Sequence, residues 1–125
     1  VVDTLTSITI NDTSQGVAVS ADYTFTVTNV GASAYTIVGT DQNGAVNGDN
    51  VGLTFSQGDI VDFAVNASGH PFYIKTAQTT GIGDQAGGVT NAGADSGTVQ
   101  WTVGNPGTYY YICEFHGSMY GEITV

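Results

Sequence analysis

The sequence predicts an all-β fold, a sandwich of seven or eight short and mostly antiparallel strands of the Greek-key kind, in one domain spanning residues 1–125. Three observations carry this. Short runs rich in Val, Thr, Tyr and Phe recur, and the clearest of them alternate apolar with polar residues. Turn signals separate them, among a total of 18 glycines. Helix signals are nearly absent.

Taken in order, Thr4 to Ile10 alternates with one break in phase, its apolar positions being Leu5, Ile8 and Ile10. Val17 to Val30 is the next strand, and Tyr23-Thr24-Phe25-Thr26-Val27 within it alternates as a half-buried strand does. Tyr35 to Val38 forms a short strand, with Asn43-Gly44 and Asn47-Gly48 as tight turns after it. Leu53 to Phe55 and Ile60 to Val65 follow, divided by Gln57-Gly58-Asp59. His70 to Ala77 reads as a strand opened by Gly69 and Pro71. From Gln78 to Gly97 the composition shifts to Gly, Thr, Asn, Asp and Ala, which predicts a long surface excursion holding at most a short element. Thr98 to Val103 and Tyr109 to Cys113 are strong strands split by Gly104-Asn105-Pro106-Gly107. Ile123 to Val125 closes the chain.

With 125 residues, 41% of them hydrophobic, the chain can bury one core without disulfide staples. It holds eleven acidic residues against one basic residue, Lys75, for a formal charge of −10. That balance argues against nucleic acid and anionic membranes, which need clustered Lys and Arg. It suits solubility and permits steering toward a basic partner. No apolar run approaches the roughly 20 residues of a membrane helix. The start at Val1-Val2-Asp3 is read as a trimmed export signal or an arbitrary boundary, with a periplasmic or extracellular location expected.

The chemistry is concentrated in one stretch. Cys113, the only cysteine, is followed three residues later by His116 and three later again by Met119, the only methionine. His70 is the only other histidine. Since strand signals end at Cys113, the next residues form a tight loop, with Gly117 and Gly121 expected to supply backbone freedom. Such a loop turns Cys113, His116 and Met119 toward one centre, and His70 is the one unclaimed candidate to complete it. Zinc disfavours a thioether, iron–sulfur clusters need about four cysteines, and calcium and magnesium need oxygen ligands. Two imidazoles, a thiolate and a weak thioether suit one copper ion cycling between Cu(I) and Cu(II).

On these residues the chain resembles the cupredoxins, the small blue-copper family of plastocyanin, pseudoazurin and amicyanin. The matching motifs are Gly69-His70-Pro71-Phe72, the lead-in from Gly107 to Cys113, and the loop Cys113-x-x-His116-x-x-Met119 followed by Gly121 and an apolar strand. Gln57-Gly58-Asp59-Ile60 also resembles the strand opening common before the first copper histidine. The resemblance covers the chain from about Leu53 onward, and its short loop is most like that of amicyanin. It implies His70 and His116 as imidazole ligands, Cys113 as the thiolate and Met119 as the axial thioether. It further implies a soluble one-electron carrier between redox partner proteins, with no bond chemistry of its own. The alternative is a copper site with an open position that binds or transforms a small molecule such as nitric oxide or nitrite. A third class, an adhesion-type sandwich without metal, predicts no colour on addition of Cu(II).

Two positions depart from the family pattern. Pro71 replaces the Asn usual after the first histidine and has no N–H to give the cysteine sulfur. Glu114 lies between the cysteine and the second histidine, and alternation directs its side chain away from Cys113. Phe115 and Tyr120 are expected to shield the metal, and Trp101 to pack in the core.

Overall fold

The computed structural model describes residues 20–125. The expected strand Thr4–Ile10 and the beginning of Val17–Val30 lie outside the described residues.

Ten strands are described: β1 (Tyr23–Val30), β2 (Ala34–Asp41), β3 (Gly44–Asp49), β4 (Leu53–Thr54), β5 (Ile60–Asn66), β6 (Phe72–Lys75), β7 (Val89–Thr90), β8 (Ser96–Thr102), β9 (Thr108–Cys113) and β10 (Tyr120–Thr124). They form two sheets, one in the order β3-β2-β1-β5-β8-β7 and one in the order β4-β10-β9-β6. Neighbours pair antiparallel except β1 with β5 and β10 with β4, which run parallel. The fold is the expected all-β sandwich.

Alternation fixes which residues face inward. β1 buries Phe25 and Val27 and exposes Thr24, Thr26 and Thr28, and β5 buries Val61, Phe63 and Val65. These side chains meet Phe72, Ile74, Tyr111 and Ile123 of the other sheet in one core. Aromatic rings dominate it: Phe63 and Phe72 have centroids 5.0 Å apart, and Phe72 stacks on Tyr111 at 5.7 Å. Trp101 is buried there as expected, its indole N–H donating to the Gly87 carbonyl at 3.2 Å.

Several local expectations need correction. Asn43-Gly44 does turn the chain, with Gly44 at φ 118° and Asp41 accepting the Asn43 N–H at 2.8 Å. Asn47-Gly48 does not; both residues sit inside β3, opposite Val38 and Ile37. The reversal falls at Asn50, which takes φ 49°. The strand expected from His70 to Ala77 is only Phe72–Lys75. His70 itself ends a turn, its N–H donating to the Ala67 carbonyl at 2.9 Å. Gly117 and Gly121 are both outside the left-handed region, so neither is there for backbone freedom. Gly121 faces the Tyr111 phenol ring, where a Cβ has no room.

The excursion after β6 folds back along the free edge of the four-stranded sheet, pairing with β6 through an antiparallel bridge between Lys75 and Gln85. Thr76 N–H donates to the Asp84 carbonyl and Ala86 N–H to the Ile74 carbonyl, at 2.8 and 2.9 Å. Lys75 lies beneath it, fully buried, its ammonium donating to the carbonyls of Thr79 and Gly81 at 2.8 and 2.7 Å. Burial pulls its pKa down, against the upward pull of Asp84 and Glu114.

Candidate metal centre

β9 lies between β6 and β10, and its pairing with β6 sets Cys113 opposite Phe72. The Glu114 N–H continues that pairing by donating to the Pro71 carbonyl at 3.0 Å. The end of β9 is thereby held beside the segment that carries His70. That segment is fixed from its other side by Asp95, whose carboxylate accepts the Gly69 N–H at 2.8 Å and whose carbonyl accepts the Ala67 N–H at 2.8 Å.

After Cys113 the chain curls tightly. Met119 N–H donates to the His116 carbonyl at 3.1 Å, and Cys113 N–H donates to the Met119 carbonyl at 3.0 Å. Gly81 N–H reaches in from the excursion to the Glu114 carbonyl at 2.8 Å. The loop is therefore closed by main-chain bonds on both sides.

The tertiary structure brings His70, Cys113 and His116 together, with one ligand atom from each lying within 4.8 Å of the others. The Cys113 Sγ is 3.7 Å from Nδ1 of His70 and 3.5 Å from Nδ1 of His116. Metal–imidazole and metal–thiolate bonds of about 2.0 and 2.3 Å, opened to a tetrahedral or trigonal angle, span about 3.5–3.7 Å. The observed spacing therefore fits a shared ion, and two imidazole nitrogens with one thiolate sulfur are a donor set that suits copper. Cys113 and Met119 are fully buried in the core cluster, while both imidazoles are half-buried.

The neighbours divide between expectation and correction. Glu114 faces outward as expected; after burial, its charge pushes the Tyr73 pKa up, and it opposes the lowering that burial imposes on Lys75. Phe115 shields nothing: it is 61% exposed. Tyr120 pairs with Tyr110 on the outer face of its sheet, at 6.3 Å between centroids. Among the described contacts of the Cys113 sulfur are the two imidazoles and no backbone N–H, in keeping with proline at position 71.

Three supporting residues were missed from the sequence. Asp95 holds the His70 turn, Tyr35 donates its hydroxyl to the His70 carbonyl at 2.6 Å, and Asn50 donates to the Ser118 carbonyl at 3.0 Å. Each lies far along the chain from what it touches. Tyr35 resembles any core tyrosine in an alternating strand, and Asn50 any turn residue.

No family sequence model matches the chain, and no curated protein matches it. Solved structures do. Reduced rusticyanin superposes with a TM-score of 0.50 at 21% identity, over 82% of this chain and 77% of that one. A methionine-to-glutamine variant of rusticyanin gives 0.52 at 21% identity, over 82% and 76%. A histidine-to-methionine variant gives 0.51 at 22% identity, again over 82% and 76%. In this chain the β-sandwich gathers two imidazoles and one thiol at a loop-to-strand edge, a group able to hold one metal ion. Rusticyanin is a cupredoxin, and the fold of this chain is the cupredoxin fold.

Proposed function

We propose that the protein is a mononuclear type 1 copper protein carrying single electrons between redox partners. The observation that supports this most directly is the approach of His70, Cys113 and His116 to within 4.8 Å of one another. On this reading His70 and His116 would hold the ion through Nδ1, Cys113 through its thiolate and Met119 through its thioether. Bound copper supplies the redox chemistry, one electron between Cu(I) and Cu(II).

The chain's own part is to hold donors still and exclude water. Cys113 and Met119 close the inner side, both fully buried. The half-buried His116 leaves an edge near solvent for electron exit. Next to it, the two most exposed large apolar side chains among the described residues, Ile82 at 65% and Phe115 at 61%, each adjoin the Gly81–Glu114 hydrogen bond. They suit brief docking by a partner protein. A net charge of −10 favours partners with basic docking surfaces. A thiol buried among metal-ligating side chains suits an oxidising compartment, so we place the protein in the periplasm or at the cell surface. Among the described residues no helix is long and apolar enough to cross a membrane.

Full burial of Met119 favours a saturated carrier over the open-site alternative. Titration with Cu(II) is expected to end at one ion per chain with an intense visible band and a reversible one-electron wave. Azide or nitrite is expected to leave the spectrum unchanged. A chain that takes up no copper, or stays colourless, sinks the reading; a spectrum shifted by azide replaces the carrier with the small-molecule site.

A further inference from the structure

Besides the direct bond from Glu114 to Pro71, the two ligand-bearing segments are tied together through one residue pair on the opposite sheet. Tyr35 lies in β2 and Asn50 at the turn after β3, and their main chains bond directly: Asn50 N–H donates to the Tyr35 carbonyl at 2.8 Å. The Asn50 Oδ1 accepts the Tyr35 N–H at 3.1 Å, so the two residues are joined by a reciprocal pair. From this pair two arms extend. The Tyr35 hydroxyl donates to the His70 carbonyl at 2.6 Å, and Asn50 Nδ2 donates to the Ser118 carbonyl at 3.0 Å, between His116 and Met119.

Tyr35 gives its hydroxyl to the His70 carbonyl. Its ring is held edge-on to Phe72 at 5.2 Å, which fixes where the hydroxyl points. Asn50 holds φ 49°, a left-handed backbone that asparagine tolerates better than most residues. Pro71 has no N–H with which to tie the His70 segment to the sulfur from its own side.

We propose that Tyr35 and Asn50 are positioning residues of the metal site, setting the distance between His70 and the His116–Met119 loop. The proposal rests on the copper reading above. A displacement of either loop is transmitted through the Tyr35–Asn50 pair to the other, so the site keeps one shape in both oxidation states. Neither residue touches the ion; each acts through a carbonyl beside a ligand.

The test compares Tyr35→Phe and Asn50→Gly with the wild type. Asn50→Gly removes the side-chain tie while accommodating the left-handed backbone. In the metal-free proteins, Tyr35→Phe is expected to shift the His70 imidazole resonances, and Asn50→Gly those of His116 and the Ser118 amide. With copper, each variant is expected to bind about ten- to a hundredfold more weakly, with a displaced visible band and altered EPR hyperfine splitting. Asn50→Asp keeps the acceptor for Tyr35 but loses the donor to Ser118, so it should restore the Tyr35 arm alone. Variants that melt earlier while keeping wild-type imidazole resonances, copper affinity and spectra overturn the proposal and reduce both residues to fold stabilisers. If Tyr35→Phe fails to fold, Asn50→Gly decides. Failure of the wild type to take up copper fails the copper reading alone, since the metal-free imidazole resonances still decide the positioning claim.

Discussion

Cys113 stands directly opposite Phe72 in the antiparallel pairing of β9 with β6. That one register brings the sulfur to the segment bearing His70 and leaves the loop after Cys113 free to carry His116 back to the same place. A slip by one residue would turn Cys113 to the outer face of the sheet. Cys113→Ser keeps the register and removes the sulfur. It is expected to fold, to lose the visible band with Cu(II), and to weaken copper binding by more than the ~100-fold that loss of a supporting contact costs. Isothermal titration and absorption spectra check this.

Pro71 predicts an electron-rich sulfur. Pro71→Asn restores a backbone N–H beside it, and a hydrogen bond to an anion favours the reduced state. The potential is expected to rise by about 60 mV, the one-electron equivalent of about 1.4 kcal/mol. Cyclic voltammetry returning the wild-type value would refute this.

Gly121 is set by a neighbour rather than by its backbone. A Cβ there meets the Tyr111 ring, which is fully buried and anchored by its hydroxyl to the Val51 carbonyl at 2.6 Å. Gly121→Ala is expected to cost about 3 kcal/mol in urea unfolding, as overpacking of a tight core does. Gly117→Ala, whose Cβ meets only Thr80 Cγ2 at an ordinary 3.6 Å, serves as the mild control.

The chain's single basic side chain is spent inside. Lys75→Met removes both bonds to the excursion, and a loss of about 2 kcal/mol is expected. Amide exchange should accelerate from Thr79 to Asp84, next to the metal loop, while β1 and β5 stay protected. Uniform acceleration across both sheets would contradict a local clasp.

Alkaline solution is expected to unfold the protein. Burial chiefly raises the pKa of Tyr35 and Tyr111, with the charge of Cys113 adding for Tyr35 and that of Asp49 for Tyr111. The unfolded chain gives up these protons near pH ~10, the folded chain only higher. Their contribution is therefore complete below about pH 10 and is lost as pH rises beyond it, by at most about 2.7 kcal/mol per pH unit for the two. Lys75, with its pKa lowered, pulls the other way, one group against two. Tyrosinate absorbance should appear together with loss of the near-ultraviolet circular dichroism; ionisation well before unfolding would contradict it.

The amino-acid order alone determined the strand class, the alternation of β1, and the cluster of candidate ligands after Cys113. Alternation and residue chemistry are local properties, readable without a partner strand. The tertiary structure decided that β6 begins after His70, that Asn47-Gly48 lies in a strand, that Gly121 answers to a ring, and that Tyr35, Asn50 and Asp95 brace the ligand loops. Those facts depend on which distant segments become neighbours, and pairing across two sheets leaves no periodic trace in the chain.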